Sequence, residues 1–220
     1  ALSITLASAM AAIQGARRYQ EDSALFWDAA RSCAPLRDSD LKLPEVAANE
    51  VVAVLGDGMG GHVGGSTASR LATEAFLAGF LASTHKTSGR LLEGLDAANL
   101  ALADKIAARP MFSGMGTTLI GAFVQDTTLS WVSVGDSLLY LWRRGELARL
   151  NEDHSMAPEI DKLVASGKMS PEDGANDPRR HYLRAAVTGD ALELIDVSMK
   201  PLDLAAGDVV LLASDGIHTL

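Results

Sequence analysis

Two stretches of the chain carry apolar residues at helical spacing and are predicted to form amphipathic helices. They cover residues 66–82 and 89–108, and Ser88 is predicted to cap the N-terminus of the second helix. The apolar stripes comprise Ala68, Leu71, Ala72, Ala75, Phe76 and Gly79 in the first stretch and Leu91, Leu95, Ala98, Leu102 and Ile106 in the second. Two such helices in succession predict a helical layer that packs on a sheet.

After these helices the pattern changes to short runs of β-branched and apolar residues. Strands are predicted at residues 117–124, 128–134, 138–142 and 146–150, separated by turns at 125–127, 135–136 and 144–145. Parallel strands need a crossover of about a dozen residues, so strands this close in sequence are predicted to form an antiparallel meander.

Residues 151–190 are polar, with helical pieces at 156–167 and a helix start at 171–173, which is typical of an inserted flap. Further strands are predicted at 192–198 and at 209–213. Residues 3–6 are also interpreted as a strand, because no basic residues precede them as in a signal peptide. Helices and antiparallel strands are segregated along the sequence, so the predicted fold class is α+β.

Composition limits the function. The 220 residues, 48% of them apolar, suffice for one domain with a full core, and the net charge of −9 argues against a nucleic-acid-binding protein. No run approaches 18 apolar residues, so no membrane span is predicted. Cys33 is the only cysteine, which excludes an intramolecular disulfide and favours a reducing, cytoplasmic location.

Asp57 is the most informative candidate for chemistry. It follows the apolar run 51–55 and precedes a glycine-rich turn that would allow a ligand to approach the backbone closely. Asp215 repeats this setting after residues 209–213. An Asp-Gly pair after an apolar run is also a common hairpin signal, so a simple turn is the alternative for either aspartate alone.

Further acids stand at similar places: Glu21, Asp22 and Asp136. Carboxylate oxygens suit Mg²⁺ or Mn²⁺ and are poor ligands for copper. The five histidines show no HxH or HxxxH spacing, so a histidine-built zinc site is not expected.

Five motifs occur together in one order along the chain: Arg17-x-x-x-Glu21-Asp22, Asp57-Gly58-Met59-Gly60-Gly61-His62, Gly114-Met115-Gly116-Thr117-Thr118, Gly135-Asp136-Ser137 and Ser214-Asp215-Gly216. The set resembles the metal-dependent serine/threonine phosphatases of the PPM (type 2C) family in their bacterial form. This resemblance implies a four-layer αββα sandwich, in which two central antiparallel sheets are flanked by helices. It also implies one phosphatase domain over residues 1–220, with residues 151–190 as a flap-like insertion.

The resemblance also implies roles for the acids at a two-metal centre. Asp57 would bridge both ions, the Gly58 carbonyl would bind one of them, and Asp215 would bind the second. Glu21 and Asp22 would hold water molecules on the ions.

Two further residues match the family's motifs. Arg17 matches the arginine that grips the substrate phosphate, and its spacing to Glu21 favours it over Arg18. Asp136 matches a ligand of a third, weakly held ion; a structural role in a hairpin turn is the alternative.

Several residues of these motifs can be explained by a structural role. For Glu21 and Asp22, the alternative to a role at the metal centre is a purely structural role in a turn. Thr117 and Thr118 are interpreted as core-strand residues, and Ser137 lacks the sequence context of a nucleophile.

The chain departs from the family at three places. No Gly-Asp-Asn motif follows Asp215, so we interpret the domain as truncated at its C-terminus. Thr219 stands where another acid often supports the third ion. Met59 stands where eukaryotic relatives carry a histidine, and for His62 a packing role is favoured over that of general acid.

The function predicted from the resemblance is hydrolysis of phosphoserine and phosphothreonine in proteins by a metal-activated water. Its partners would be proteins phosphorylated by a serine/threonine kinase. Its cofactors would be two Mg²⁺ or Mn²⁺ ions, with a third ion bound weakly. The protein would be a monomer. The alternative is a phosphatase-like module that binds a phosphoprotein or regulator without turnover.

Overall fold

The computed structural model describes residues 5–14, 18–28, 32–35, 41–46 and 50–219. The strands are β1 (Leu6–Met10), β2 (Asp22–Asp28), β3 (Ser32–Pro35), β4 (Leu41–Val46), β5 (Glu50–Met59), β6 (Gly116–Thr117), β7 (Leu119–Gln125), β8 (Thr128–Val134), β9 (Leu138–Arg143), β10 (Glu146–Arg149), β11 (Asp196–Val197), β12 (Leu202–Asp203) and β13 (Val209–Ala213). The α-helices are α1 (His62–Ala82), α2 (Thr87–Ala108), α3 (Ala157–Ala165) and α4 (Pro171–Asn176), and 3-10 helices cover Pro110–Phe112, Pro178–His181 and Asp215–Thr219.

The strands form two main antiparallel sheets. The larger one has the order β11-β8-β7-β5-β2-β3, with β12 paired to β8 and β6 paired to the end of β5. The smaller one has the order β10-β9-β13, and β1 pairs with β4 separately. Two antiparallel sheets combined with helices confirm the predicted α+β class.

Alternation of side chains along β7 and β8 produces a separate core on each face of the larger sheet. One face carries Leu119, Phe123, Val132 and Val134, which pack against α1 and α2. The other face carries Ile120, Ala122 and Leu129, and these pack with Leu139, Val210 and Leu212 of the smaller sheet. Because successive side chains of a strand point to opposite faces, one hairpin joins both hydrophobic layers.

Both predicted helices are present, with different starts. α1 begins at His62, four residues earlier than predicted, and the amides of Gly64 and Gly65 donate to the Gly61 carbonyl in its first turn. α2 begins at Thr87, so Ser88 lies inside it and not at its cap. Lys86 occupies the cap position without a capping side-chain hydrogen bond, and helical periodicity alone does not fix such an end.

The predicted hairpin at 135–136 is wrong. β8 pairs with β7 along one edge and with β11 and β12 along the other, so it has no free edge for β9. The chain therefore crosses here from the larger sheet to the smaller one, with Gly135 at a φ of 107°. The predicted hairpins at 125–127 and 144–145 are confirmed.

Two other predicted strands differ from the structure. The strand at 192–198 is reduced to Asp196–Val197, because Leu192 leaves the sheet edge and packs on the core next to the helices. Of residues 3–6 only Leu6 lies in a strand, and Ser3 and Ile4 lie outside the described residues. None of the described helices is long and apolar enough to cross a membrane.

Gly121 of β7 lies against Phe76 of α1, which is fully buried, and a Cβ at this glycine would be 2.6 Å from Phe76 Cε1. We expect Gly121→Ala to destabilise the protein by about 1–3 kcal/mol through overpacking. In a chain of this size that corresponds to a fall in Tm of roughly 2–12 °C, measured by thermal unfolding.

The control is Gly64→Ala in α1, where the added Cβ would meet Met115 Cβ at an ordinary 3.4 Å. It should leave Tm unchanged or raise it, because alanine favours a helix. An unchanged Tm in Gly121→Ala would show that Phe76 does not constrain the position of the helix.

Candidate metal centre

Asp57 does not occupy a hairpin turn. Strand β5 continues to Met59 and then leads through Gly60 and Gly61 into α1, so the hairpin alternative for the Asp57-Gly58 pair is wrong. The antiparallel register of β2 and β5 places Asp22 directly opposite Asp57. Strand pairing therefore holds two carboxylates side by side at one end of the sheet.

Glycines allow Glu21, β5 and α1 to approach one another closely. The Gly58 amide donates to the Glu21 carbonyl at 3.1 Å, and a Cβ on Gly58 would lie only 2.6 Å from that oxygen. A Cβ on Gly65 in the first turn of α1 would lie 2.9 Å from the carboxyl carbon of Glu21. The carboxyl oxygen Glu21 Oε1 is buried there and has no hydrogen-bond partner among the described residues.

A hydrogen bond joins the C-terminal part of the chain to these acids. Ser214 lies between β13 and the 3-10 helix that begins at Asp215, and its hydroxyl donates to Asp22 Oδ2 at 2.8 Å. This contact places Asp215 within electrostatic range of Asp57. The sequence indicated Asp215 but not the contact that positions it, since the two residues are 192 positions apart.

The electrostatics of Asp57 reflect burial among like charges. Burial, followed by the charges of Asp22 and Asp215, raises the pKa of Asp57 from 3.8 to about 8; a hydrogen bond with the Asp22 carboxyl and the charge of Asp136 act in the same direction. Each of these influences disfavours the ionised form. Asp57 is thus a half-buried carboxyl in a cluster of acids, a setting in which a bound cation is favourable.

Asp136 lies at the crossover between the sheets. Burial and the charges of Asp215 and Asp153 raise its pKa to about 6, against the opposing charge of Arg149. The Arg149 guanidinium also donates to the Asp136 carbonyl at 3.0 Å and to Asp153 Oδ2 at 3.0 Å. Asp136 therefore lies close enough to Asp215 to interact with it electrostatically, although its turn connects the two sheets and is not a hairpin.

Three buried hydroxyls fix the backbone around Asp57. The Asp57 amide donates to Thr118 Oγ1 at 3.0 Å, and the Thr117 hydroxyl donates to the Asp57 carbonyl at 3.0 Å. The hydroxyls of Thr118 and Ser137 are hydrogen-bonded at 2.7 Å, which links Asp57 to the turn at Asp136. Thr117 and Thr118 thus lie in the buried interior, as the sequence predicted, and they also position Asp57.

The start of residues 151–190, the flap segment, is fastened to the same turn. His154 is buried; its amide donates to the Gly135 carbonyl at 3.1 Å, and its Nδ1 accepts from the Gly135 amide at 3.2 Å. Burial lowers the pKa of His154, consistent with this acceptor role. Asn151 donates to the Ser137 carbonyl at 2.9 Å. The sequence indicated the stretch 151–155 as a family-like part of the flap segment, but it did not predict that Asn151 and His154 position the turn at Asp136.

Four predicted acids are therefore brought together: Asp22, Asp57, Asp136 and Asp215. In the described part of the chain, no three histidine, cysteine or acidic side chains converge tightly enough to form a ready-made metal cage. Arg17 lies outside the described residues, as do the side chains of His62 and Thr219.

The sequence is similar to that of a known protein family. The profile of the family described as Protein phosphatase 2C matches residues 30–220. The serine/threonine protein phosphatase PstP of Mycobacterium tuberculosis is 36% identical over 167 residues, which cover 74% of this chain and 31% of PstP. The serine/threonine phosphatase Stp of Listeria welshimeri is 30% identical over 177 residues, 78% of this chain and 68% of Stp. This chain thus spans less than a third of the length of PstP.

Solved structures agree with the fold. The crystal structure of M. tuberculosis PstP superimposes with a TM-score of 0.71 at 29% identity, covering 96% of this chain and 79% of that one. The catalytic domain of PstP in complex with two manganese ions gives a TM-score of 0.68 at 27% identity, with 96% and 78% covered.

The hydroxyl of Thr118 can be tested by isosteric replacement. Thr118→Val keeps the shape but leaves the Asp57 amide without its acceptor, so we expect a loss of about 1–3 kcal/mol in stability, measured by denaturant unfolding. Thr118→Ser retains the hydroxyl and should lose less. Equal losses in both variants would mean that packing, and not the hydrogen bond, determines the effect.

The raised pKa of Asp57 predicts a pH effect on stability in EDTA. Between the unfolded pKa of 3.8 and the folded pKa of about 8, the folded state keeps a proton that the unfolded state has released. Stability contributed by the protonated carboxyl is therefore lost as the pH rises through this window. Asp57→Asn does not titrate, so its Tm relative to the parent chain should rise between pH ~5 and pH ~8.

The exposed Asp126, in the turn between β7 and β8, supplies the control, since Asp126→Asn should shift Tm equally at both pH values. A Tm difference for Asp57→Asn that stays constant with pH would contradict the raised pKa.

Proposed function

The chain belongs to the protein phosphatase 2C family, and we propose that it hydrolyses phosphoserine and phosphothreonine in proteins with bound Mg²⁺ or Mn²⁺. The observation that carries this proposal is the pairing of Asp57 with Asp22 across β2 and β5, with Asp136 and Asp215 close enough to raise the pKa of Asp57. The manganese ions bound by PstP, a relative by sequence and by fold, support the choice of cofactor.

The residues present fit a pair of hard divalent cations. The candidate donors are all oxygens, and their mutual repulsion at Asp57 would be relieved by positive charge. Glu21 Oε1, which is buried and unpartnered within the described part of the chain, is a further acceptor beside Gly65. Burying an unpaired carboxyl oxygen is unfavourable, so a water molecule or cation at this point would stabilise the folded state.

We propose the following ligand set. Asp57 would supply carboxylate oxygens to both ions, the Gly58 carbonyl would contribute to holding one of them, and Asp215 would contribute to holding the other. Glu21 and Asp22 would hold the water molecules that accompany the ions. When bound, the ions lower the pKa of a water molecule and neutralise charge on the phosphoryl group.

Two further roles complete the proposed site. Arg17 binds the substrate phosphate, for which a planar and permanently charged guanidinium is suited. Asp136 would hold a third ion with lower affinity, and the Thr118–Ser137 hydrogen bond links its turn to the backbone of Asp57.

No phosphorylated enzyme intermediate is required. Ser137 is 1% exposed and hydrogen-bonded to Thr118, so its hydroxyl is not accessible to a phosphoprotein. Thr117 and Thr118 are equally buried. The proposed reaction is therefore direct attack of water on phosphorus: a P–O bond to the water oxygen forms, the P–O bond to the serine or threonine oxygen breaks, and that oxygen leaves as a hydroxyl with a proton, which gives inorganic phosphate. Asp57 and Asp215 would help to keep the reacting groups in place.

The flap segment and the wider setting are also part of the proposal. We propose that residues 151–190 form a flap on a single phosphatase domain, anchored through His154 and Asn151 to the turn at Asp136. Its substrates would be products of a serine/threonine kinase, and a single cysteine is consistent with a reducing, cytoplasmic setting for a monomer.

Removal of the bridging carboxylate tests the function. Asp57→Asn should reduce Mn²⁺-dependent hydrolysis of p-nitrophenyl phosphate by more than about 100-fold, because even residues outside the first ligand set commonly contribute 10–100-fold. Activity of the parent chain should disappear in EDTA and return with excess Mn²⁺. Calorimetric titration should show that Asp57→Asn weakens Mn²⁺ binding as well.

Asp126→Asn is the matched control, since it makes the same chemical change at an exposed hairpin turn. It should retain full turnover. Turnover by the parent chain without any divalent ion, or full activity of Asp57→Asn, would overturn the proposed function.

A further inference from the structure

A row of small and polar residues runs along α1 on the side that faces the start of β2. Gly65, Ser69 and Thr73 follow one another at intervals of four residues, so they lie on one face of the helix. The hydroxyl-bearing residues Ser69 and Thr73 are 1% and 0% exposed, although the neighbouring Ala68 and Ala72 belong to the hydrophobic core. A hydroxyl buried beside such a core is unfavourable unless it forms a hydrogen bond, so its partner indicates what it does.

Both hydroxyls bind the segment that carries two of the predicted acids. The Ser69 hydroxyl donates to the Glu21 carbonyl at 2.5 Å. One helical turn further on, the hydroxyls of Thr73 and Ser23 are hydrogen-bonded to each other at 3.0 Å. Asp22 therefore lies between two residues that are each joined to α1.

The helix acts on Asp22 through the backbone and not through its carboxyl group. Successive side chains of a strand point to opposite faces, and Ser23 and Leu25 of β2 both face the helices, so the Asp22 side chain points the other way. On that side it accepts from the Ser214 hydroxyl and lies opposite Asp57. The orientation of this carboxyl group thus depends on how firmly the residues before and after it are held.

Hydrogen bonds give this contact a precision that apolar packing lacks. The hydrophobic effect is non-directional, whereas hydrogen bonds between oxygens are confined to donor–acceptor distances of about 2.5–3.0 Å. Buried polar contacts that are satisfied also favour one arrangement of the elements they join. The apolar side chains of α1 therefore hold the helix on the sheet, and the two hydroxyls determine its position relative to Glu21 and Asp22.

We infer that Ser69 and Thr73 are positioning residues of the metal centre, which hold Glu21 and Asp22 where these acids meet the water molecules that accompany the ions. This inference rests on the proposed function and adds to it two residues of α1 that are not ligands themselves. Gly65 belongs to the same contact, because a Cβ there would lie 2.9 Å from the carboxyl carbon of Glu21 and would displace it.

Two changes at Thr73 separate positioning from stability. Thr73→Val keeps the shape and removes the hydroxyl, whereas Thr73→Ser keeps the hydroxyl and removes the methyl group beside Gly56. We expect Thr73→Val to weaken Mn²⁺ binding about tenfold in calorimetric titration, because groups that orient metal ligands commonly contribute 10–100-fold. Thr73→Ser should bind Mn²⁺ as tightly as the parent chain, although the cavity it leaves lowers its Tm.

Ser69→Ala removes the second hydroxyl. Alanine favours a helix more than serine does, so Tm should stay near that of the parent chain while Mn²⁺ binding weakens about tenfold. Thr128→Val is the control, since the Thr128 hydroxyl donates to the Gln125 carbonyl at 3.0 Å, at the end of β5 that is remote from Asp57. It also removes a hydroxyl-to-carbonyl hydrogen bond, and it should lower Tm without changing Mn²⁺ affinity.

The outcomes separate this inference from the proposed function. If the parent chain neither binds Mn²⁺ nor hydrolyses p-nitrophenyl phosphate, the proposed function fails and the inference fails with it. If the parent chain does both, but Thr73→Val and Ser69→Ala bind Mn²⁺ as tightly as it does, the inference alone is overturned. Equal weakening in Thr73→Val and Thr73→Ser, or weakening in Thr128→Val, would also overturn it, because Mn²⁺ affinity would then follow packing or overall stability.

Discussion

The register of β2 on β5 forces two carboxyl groups, Asp22 and Asp57, to lie opposite each other. Their repulsion is balanced by the seven residue pairs of this strand pairing, which no side-chain movement can undo. A one-residue slip would separate the acids, but it would also turn Leu25, Val52 and Val54 away from the helical core. The hydrophobic core thus fixes the register, and the register fixes the two acids.

Close approach of backbones is the second constraint on this site. α1 can begin beside Asp57 only because Gly58 and Gly65 leave room for Glu21. The result is a carboxyl group whose Oε1 is buried with no partner in the ranges that the structure describes, next to an aspartate with a pKa of about 8. Such an arrangement lowers the stability of the protein without cations and raises the free energy gained when cations bind. Stability and the proposed function are therefore in opposition at these residues.

Local sequence patterns predicted helices and turns correctly where neighbouring residues alone determine the structure. The stripe of α2 and the turns at 125–127 and 144–145 depend on neighbouring residues, and they were confirmed. The turn at Asp136 was assigned to a hairpin because sequence spacing does not show that both edges of β8 are already occupied. The settings of Asp57, Asp22 and Asp215 in the sequence indicated a divalent-metal site, and resemblance to a family assigned each of them a role. The Ser214–Asp22 hydrogen bond that joins them is a tertiary contact without a local signal.

Cations held by carboxylates would recognise the charge and shape of a phosphate but nothing of the chain that carries it. Discrimination between phosphoproteins must then come from surfaces next to Asp57. The turn at Gly60 and Gly61, with φ angles of 112° and 75°, ends the strand that carries Asp57 and leads into α1. A Cβ at Gly60 would lie 2.7 Å from Met115 Cα, so this turn packs closely against the segment that precedes β6 and tolerates no larger residue at Gly60.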